Sequence, residues 1–127
     1  MNKNKLGLNL NDLSLLARKN PKYAKLLGEL AGIDQIIKNF ANDIITNYSD
    51  SNVYFIKTEL LNQCYNLYLY NSERNATIGY SWLFDDFLTK CQTKVIEKDV
   101  EKAVKKMIDS FNNDKKLSEK KINWIIV

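Results

Sequence analysis

Asp85 and Asp86 are the only adjacent carboxylates in the chain, and a pair of acids is the simplest set that could do general acid–base work without histidine. Neighbouring residues point about 100° apart on a helix and to opposite faces on a strand, so the two cannot act on one substrate atom. The sequence places them on the solvated side of an aromatic helix. Histidine is absent, which removes Ser-His-Asp and Cys-His nucleophile systems and any histidine-ligated zinc site within this chain. Cys64 and Cys91 are 27 residues apart, which is neither a redox CxxC pair nor half of a zinc ribbon, and they read as buried free thiols of a reducing compartment. No phosphate-cradling glycine loop, dinucleotide fingerprint, EF-hand loop or HExxH pattern occurs. The expectation is therefore a protein with no catalytic residues, no metal site and no cofactor.

Without catalytic groups, the informative residues are those that make surfaces. The chain has 127 residues with 19 basic and 15 acidic side chains, a net charge of +4. That charge is unevenly spread. Residues 1–25 carry a net +5, residues 26–89 a net −5 and residues 90–127 a net +4. Eleven of the 14 aromatic residues lie in the acidic middle block, more than a small core needs. Tyrosine and tryptophan combine large apolar area with a polar tip and anchor protein interfaces. Tyr54, Tyr65, Tyr68, Tyr70, Tyr80, Trp82 and Trp124 are accordingly the candidate interface residues, with some of the central group expected to be exposed. The terminal Trp124–Val127 run would be an aggregation hazard if bare, so it must dock on the domain or enter a partner.

A second reading uses the basic ends. Arg18, Lys19, Lys22 and Lys25 surround the Asn20-Pro21 turn of a helix-turn-helix-like segment over 13–30. Lys115, Lys116, Lys120 and Lys121 form two doublets near the C-terminus. With only two arginines, at 18 and 74, such a protein would grip phosphate more than it reads bases. Lysine, asparagine and isoleucine all have AT-rich codons, so part of the basic excess reflects coding bias.

The elements that would position these residues read mostly as helices. Leucines at helical spacing suggest a helix over about 10–19. Asn20-Pro21 suits the start of another that runs to Ala31 and stops at Gly32. Ile33, Ile36, Ile37, Phe40, Ala41, Ile44 and Tyr48 form an amphipathic stripe, with Asp34, Lys38 and Asp43 opposite. Ile96, Val100, Ala103, Val104, Met107 and Phe111 mark the strongest helix, ended by Asn112-Asn113-Asp114, and Ser118 is placed to cap whatever follows. Residues 53–84 are ambiguous. Leu60, Cys64, Leu67 and Tyr68 fit a helix over about 53–70, and Tyr80, Leu83, Phe84, Phe87 and Cys91 fit another over about 76–92. The β-formers in Val53–Ile56, Tyr65–Tyr70 and Thr77–Trp82 fit a hairpin looped at Asn71–Asn75 instead. The expected architecture is all-α: one domain over 1–127, a bundle of five or six helices, with a small β-hairpin within 53–84 as the competing local structure.

The opening MNKNKLGLNL has no apolar run and no stretch could span a bilayer, so neither a secretory leader nor a membrane partner is expected, and the setting reads as cytoplasmic. The leading functional expectation is a small intracellular binding protein: an adaptor, an inhibitor or a subunit of a larger complex, of a kind that suits a phage or other mobile element. The alternative is a basic DNA- or RNA-binding protein. Homo-oligomerisation stays open in both.

Overall fold

The computed structural model describes residues 30–49, 52–113 and 116–125. Among them are three helices and a four-stranded mixed sheet, in the order α1 (Leu30–Tyr48), β1 (Tyr54–Leu61), β2 (Cys64–Asn71), β3 (Ala76–Leu83), α2 (Phe84–Gln92), α3 (Ile96–Asn113) and β4 (Asn123–Trp124). The expected all-α bundle is therefore corrected to an α+β fold. The two helices anticipated over 53–70 and 76–92 are strands up to Leu83, and only the second continues as a helix. The competing β reading of 53–84 is the one that describes this region, with three strands where it proposed one hairpin.

The strands form because the chain between Val53 and Leu83 is rich in β-branched and aromatic residues and is broken twice by turns. The first turn, Asn62-Gln63, has both residues at positive φ, 55° and 61°, as a type I′ hairpin requires. It contains no glycine, so it gives no turn signal to the eye. The second spans 72–75. There the Asn71 side-chain oxygen accepts the N–H groups of Glu73 and Arg74 at 2.9 and 3.0 Å, and Asn75 takes φ 49°. Antiparallel register runs unbroken from Tyr54↔Asn71 to Leu61↔Cys64, and from Cys64↔Leu83 to Asn71↔Ala76. The sheet order is β1-β2-β3-β4, with β4 parallel to β3.

The helices all cover one side of the sheet. Tyr54, Leu60, Tyr65, Leu67, Leu69, Ile78 and Trp82 are buried there against Ile37, Ala41 and Ile45 of α1, Phe87 and Leu88 of α2, and Val100, Val104, Met107 and Phe111 of α3. The side chain of α3 that the spacing did not select, Ile108, is buried as well. α1 differs from its expected form in two ways. It runs straight through Gly32, the proposed stop, because a single continuous amphipathic stripe outweighs the modest cost of one helical glycine. It is also rotated. Ile36 and Tyr48 are exposed, while Asp34, expected on the solvent side, is 2% exposed.

Asp34 stays buried because its carboxylate is fully partnered. Oδ1 accepts hydrogen bonds from Thr58 Oγ1 at 2.6 Å and Tyr65 Oη at 2.5 Å, and Oδ2 pairs with Lys38 Nζ at 3.1 Å. One helical side chain thus clamps α1 to both β1 and β2. Burial, and then the neighbouring Asp34 charge, push the Tyr65 phenol well above its ordinary pKa, so it remains a donor. At the other end Arg74 donates to the carbonyl of Phe111 in the last turn of α3, which ties the β2–β3 turn to a helix end short of partners. Tyr48 Oη donates to Asp109 at 3.0 Å and joins α1 to α3.

The 10–19 helix, the Pro21 helix up to residue 29, and with them the helix-turn-helix-like segment, lie outside the described residues.

Two outcomes are expected. Asp34→Ala strands two buried hydroxyls and should lower the unfolding free energy by about 2–4 kcal/mol in urea denaturation, and Lys38→Ala, which takes the cation from Oδ2 of a buried carboxylate, should cost about 1–3 kcal/mol. Gln63→Gly relieves a left-handed non-glycine residue and should raise the stability by about 0.5–1 kcal/mol, read as a higher urea midpoint at unchanged slope.

Candidate functional site

With the three helices on one side, the other side of the sheet is covered, among the described residues, only by the segment that carries Ile122 and Trp124. The register sorts its side chains into four rows: Phe55, Tyr70 and Thr77; Lys57, Tyr68, Gly79 and Trp124; Glu59, Asn66 and Ser81; Leu61, Cys64 and Leu83. Alternation along each strand puts them all on the face away from the helices. Phe55 is 55% exposed, Leu83 63% and Trp124 52%. Phe55 and Leu83 stand in the first and last rows of this face, with Trp124 against Tyr68 between them.

The C-terminal segment builds part of this face. Asn123 secures it: its Nδ2 donates to the carbonyls of Thr77 and Ser118, both at 3.0 Å, and its Oδ1 accepts the Ser118 N–H at 3.0 Å. Ser118 caps a turn and not a helix, its Oγ accepting the N–H groups of Lys120 and Lys121 at 3.2 Å. The Gly79 carbonyl accepts the N–H of Ile125 at 3.0 Å. These bonds bring Ile122 and Trp124 over Gly79, with the Trp124 ring 5.8 Å from that of Tyr68. A Cβ on Gly79 would lie 3.0 Å from side-chain atoms of Ile122, Trp124 and Tyr68 alike, so alanine there would push these side chains back by a few tenths of an ångström. The terminal tryptophan docks, as the tail was required to, yet keeps half its surface in solvent.

The seven aromatic candidates divide by strand parity. Tyr68, Tyr70 and Trp124 are on the open face. Tyr68 is nearly covered, and its hydroxyl donates to Glu59 at 2.8 Å; burial and that acceptor raise its pKa. The Tyr70 hydroxyl donates to Asn75 at 2.8 Å, and its ring lies 6.3 Å from that of Phe55. Tyr54, Tyr65 and Trp82 are core residues and cannot serve as exposed anchors. Tyr65 stacks on Phe87 at 4.0 Å, and Tyr54 packs 5.7 Å from Phe111. Trp82 Nε1 donates to Asp99 at 3.1 Å. Tyr80 is partly buried beside Trp82 on the helix side. The residues that spacing missed are Phe55, Leu61, Leu83 and Ile122. The alternation Phe55-Lys57-Glu59-Leu61 against Ile56-Thr58-Leu60 was the signal for β1, hidden because both faces carry apolar residues.

Of the basic candidates, Lys116, Lys120 and Lys121 are exposed ahead of β4, and Arg18, Lys19, Lys22, Lys25 and Lys115 lie outside the described residues. The open face itself carries one lysine and one glutamate, Lys57 and Glu59, and is near neutral.

Among the described residues no group of three Cys, Asp or Glu side chains could hold a metal ion. Asp85 and Asp86 sit in the first turn of α2, where negative charge suits the helix N-terminus. Asp99 pairs with Lys90 at 3.0 Å; burial alone would raise its pKa, but the bonds from Lys90 and Trp82 hold it below the ordinary value. Both cysteines are free and half-buried, less enclosed than expected, and burial pushes the Cys91 thiol up to about 11, which leaves it a poor nucleophile at neutral pH. Cys91 lines a groove of about 170 Å³ with Ile33, Ile36, Ile37, Phe40 and Val100, apolar except for Lys94 and Glu97 at its rim. No helix among the described residues is long and apolar enough to cross a membrane. Comparison of the chain with protein-family models, with curated proteins and with solved structures finds no match.

Gly79→Ala should separate the tail from the sheet or strain it. The expected result is a loss of about 1–3 kcal/mol in stability, accompanied by a red shift of tryptophan emission as Trp124 leaves Tyr68. An unchanged spectrum and melting curve would mean that the tail does not need the glycine.

Proposed function

We propose that the protein is a non-catalytic binding module that engages another protein through the open face of its sheet. The observation that carries this reading is the exposure of Phe55, Leu83 and Trp124 on a face whose strand charges, among the described residues, are Lys57 and Glu59. Interface centres are rich in aromatic residues and poor in charge, and the partly exposed Tyr70, Ser81 and Thr77 supply hydrogen-bonding groups that would give such a surface its selectivity. A stacking platform for single-stranded nucleic acid would use the same aromatics, but it would also need a positive groove to follow the phosphates. The balanced pair at 57 and 59 argues for protein. Adaptor, inhibitor and complex subunit are the roles such a surface serves. Two cysteines that remain free support a reducing, intracellular setting.

The test is affinity capture from the source cells, with and without nuclease. The wild-type chain should retain a protein partner in a nuclease-insensitive complex. The double variant Phe55→Asp, Leu83→Asp should lose it while keeping its circular dichroism spectrum, because both side chains are solvent-exposed. Ile36→Asp, on the helix layer, should retain it. Retention by the double variant refutes the assigned surface. Loss of all retained material on nuclease treatment, with binding that falls steeply between about 50 and about 200 mM salt, would establish the nucleic-acid reading in its place.

A further inference from the structure

β1 is the terminal strand of the sheet, and among the described residues no backbone group pairs with its far side. Its eight residues keep a continuous register with β2, without a bulge. Because Asn62 and Gln63 form a two-residue loop, Leu61 and Cys64 are its closing hydrogen-bonded pair. Alternation from there makes Phe55, Lys57, Glu59 and Leu61 the residues that bond β2. The N–H and C=O groups of Tyr54, Ile56, Thr58 and Leu60 then point out of the sheet edge. Native edges of this length are commonly blunted by proline, by a bulge or by charges of one sign. β1 has no proline, no bulge and one charge of each sign.

We propose that this edge pairs antiparallel with β1 of a second copy of the chain, about a two-fold axis at Thr58, so that two four-stranded sheets become one of eight. The register follows from the residues. Only alignments that set Tyr54, Ile56, Thr58 and Leu60 against one another use the outward groups. Of the alignment about Thr58 and its two neighbours, the one about Lys57 opposes Lys57 to its own copy, and the one about Glu59 opposes Glu59 to its own copy. The alignment about Thr58 sets Lys57 opposite Glu59 of the second copy, twice by symmetry. It also sets Phe55 opposite Leu61, Ile56 opposite Leu60 and Thr58 opposite Thr58. Opposite charges, aromatic–aliphatic contacts and threonine pairs are the cross-strand combinations that stabilise a sheet, and like charges directly opposed destabilise it. β1 is therefore complementary to itself in one register and self-repelling in its two neighbours.

The axis stands normal to the sheet, so both helix layers fall on one side and both open faces on the other. The pairing does not depend on the open face having a partner. A single strand pair falls at the small end of specific interfaces, so the dimer dissociates on dilution.

The experiment is sedimentation equilibrium of the full chain across a concentration series. The wild type should move from the 14.8 kDa monomer to twice that mass as concentration rises. Lys57→Glu and Glu59→Lys each oppose like charges at both pairs and should each raise the dissociation constant by about tenfold or more. An equimolar mixture of the two variants, and separately the double variant Lys57→Glu, Glu59→Lys, should recover the dimer. Recovery on mixing cannot arise from misfolding, since each component is the same protein that failed to pair alone. A wild type that stays monomeric at all concentrations overturns the proposal. So does a dimer indifferent to either single exchange, or one not recovered by mixing.

Discussion

A carboxyl group that is 2% exposed can sit in an apolar core only if both its oxygens are engaged, and the structure of this protein depends on how Asp34 meets that requirement. Its partners come from three places: Lys38 one turn along its own helix, Thr58 on β1 and Tyr65 on β2. No other rotation of α1 would bring Asp34 to both strands. That rotation seats Ile37, Ala41 and Ile45 on the sheet and turns Ile36 and Tyr48 outward. Tyr48 then finds Asp109 on α3, with Lys105 5.5 Å from its ring, and the exposed Ile36 lines the groove with Cys91. The long Ile96–Asn113 helix fills the remaining width of the sheet.

Placing all three helices on one side leaves the sheet with two unlike faces. On the helix side, aromatic residues serve packing: Tyr65 against Phe87, Trp82 against Asp99, Tyr54 against Phe111. On the open side, Phe55 and Trp124 are half in solvent, while Tyr68 is covered by Trp124. Gly79 lies at the centre of that face and lets Tyr68, Ile122 and Trp124 close over a position where any side chain would intrude. The tail therefore completes the surface and is not an appendage to it.

The two edges of the sheet are also unlike. β3 is met by a two-residue parallel strand, held mainly by the Asn123 side chain, while β1 presents eight residues of regular backbone. The amphipathic outer side of α3, where Lys105 and Glu101 pair at 2.7 Å, is by contrast an ordinary solvated helix face.

Much of the helical structure was legible in residue order alone. Ile96 to Phe111 recurs at helical spacing for four turns, so its buried side could be named almost completely, and its end at Asn113 follows from the asparagine pair. The absence of histidine and of clustered acids likewise bounded the chemistry before any coordinates. The sheet was not legible, for a specific reason. β2 is buried along most of its length on both faces, under helices on one side and beneath Trp124 on the other, so the two-residue alternation that announces a strand is missing. Its first turn uses Asn-Gln where glycine would have signalled a reversal. Leu60, Cys64, Leu67 and Tyr68 then fell by coincidence at helical intervals. Local spacing determined which segments could be helices and which residues were apolar. Only tertiary contact decided which side each aromatic residue took, because Tyr65 and Tyr68 are the same residue three positions apart, and what separates core from surface is the carboxylate of a helix more than thirty positions away in the first case and a returning tryptophan in the second.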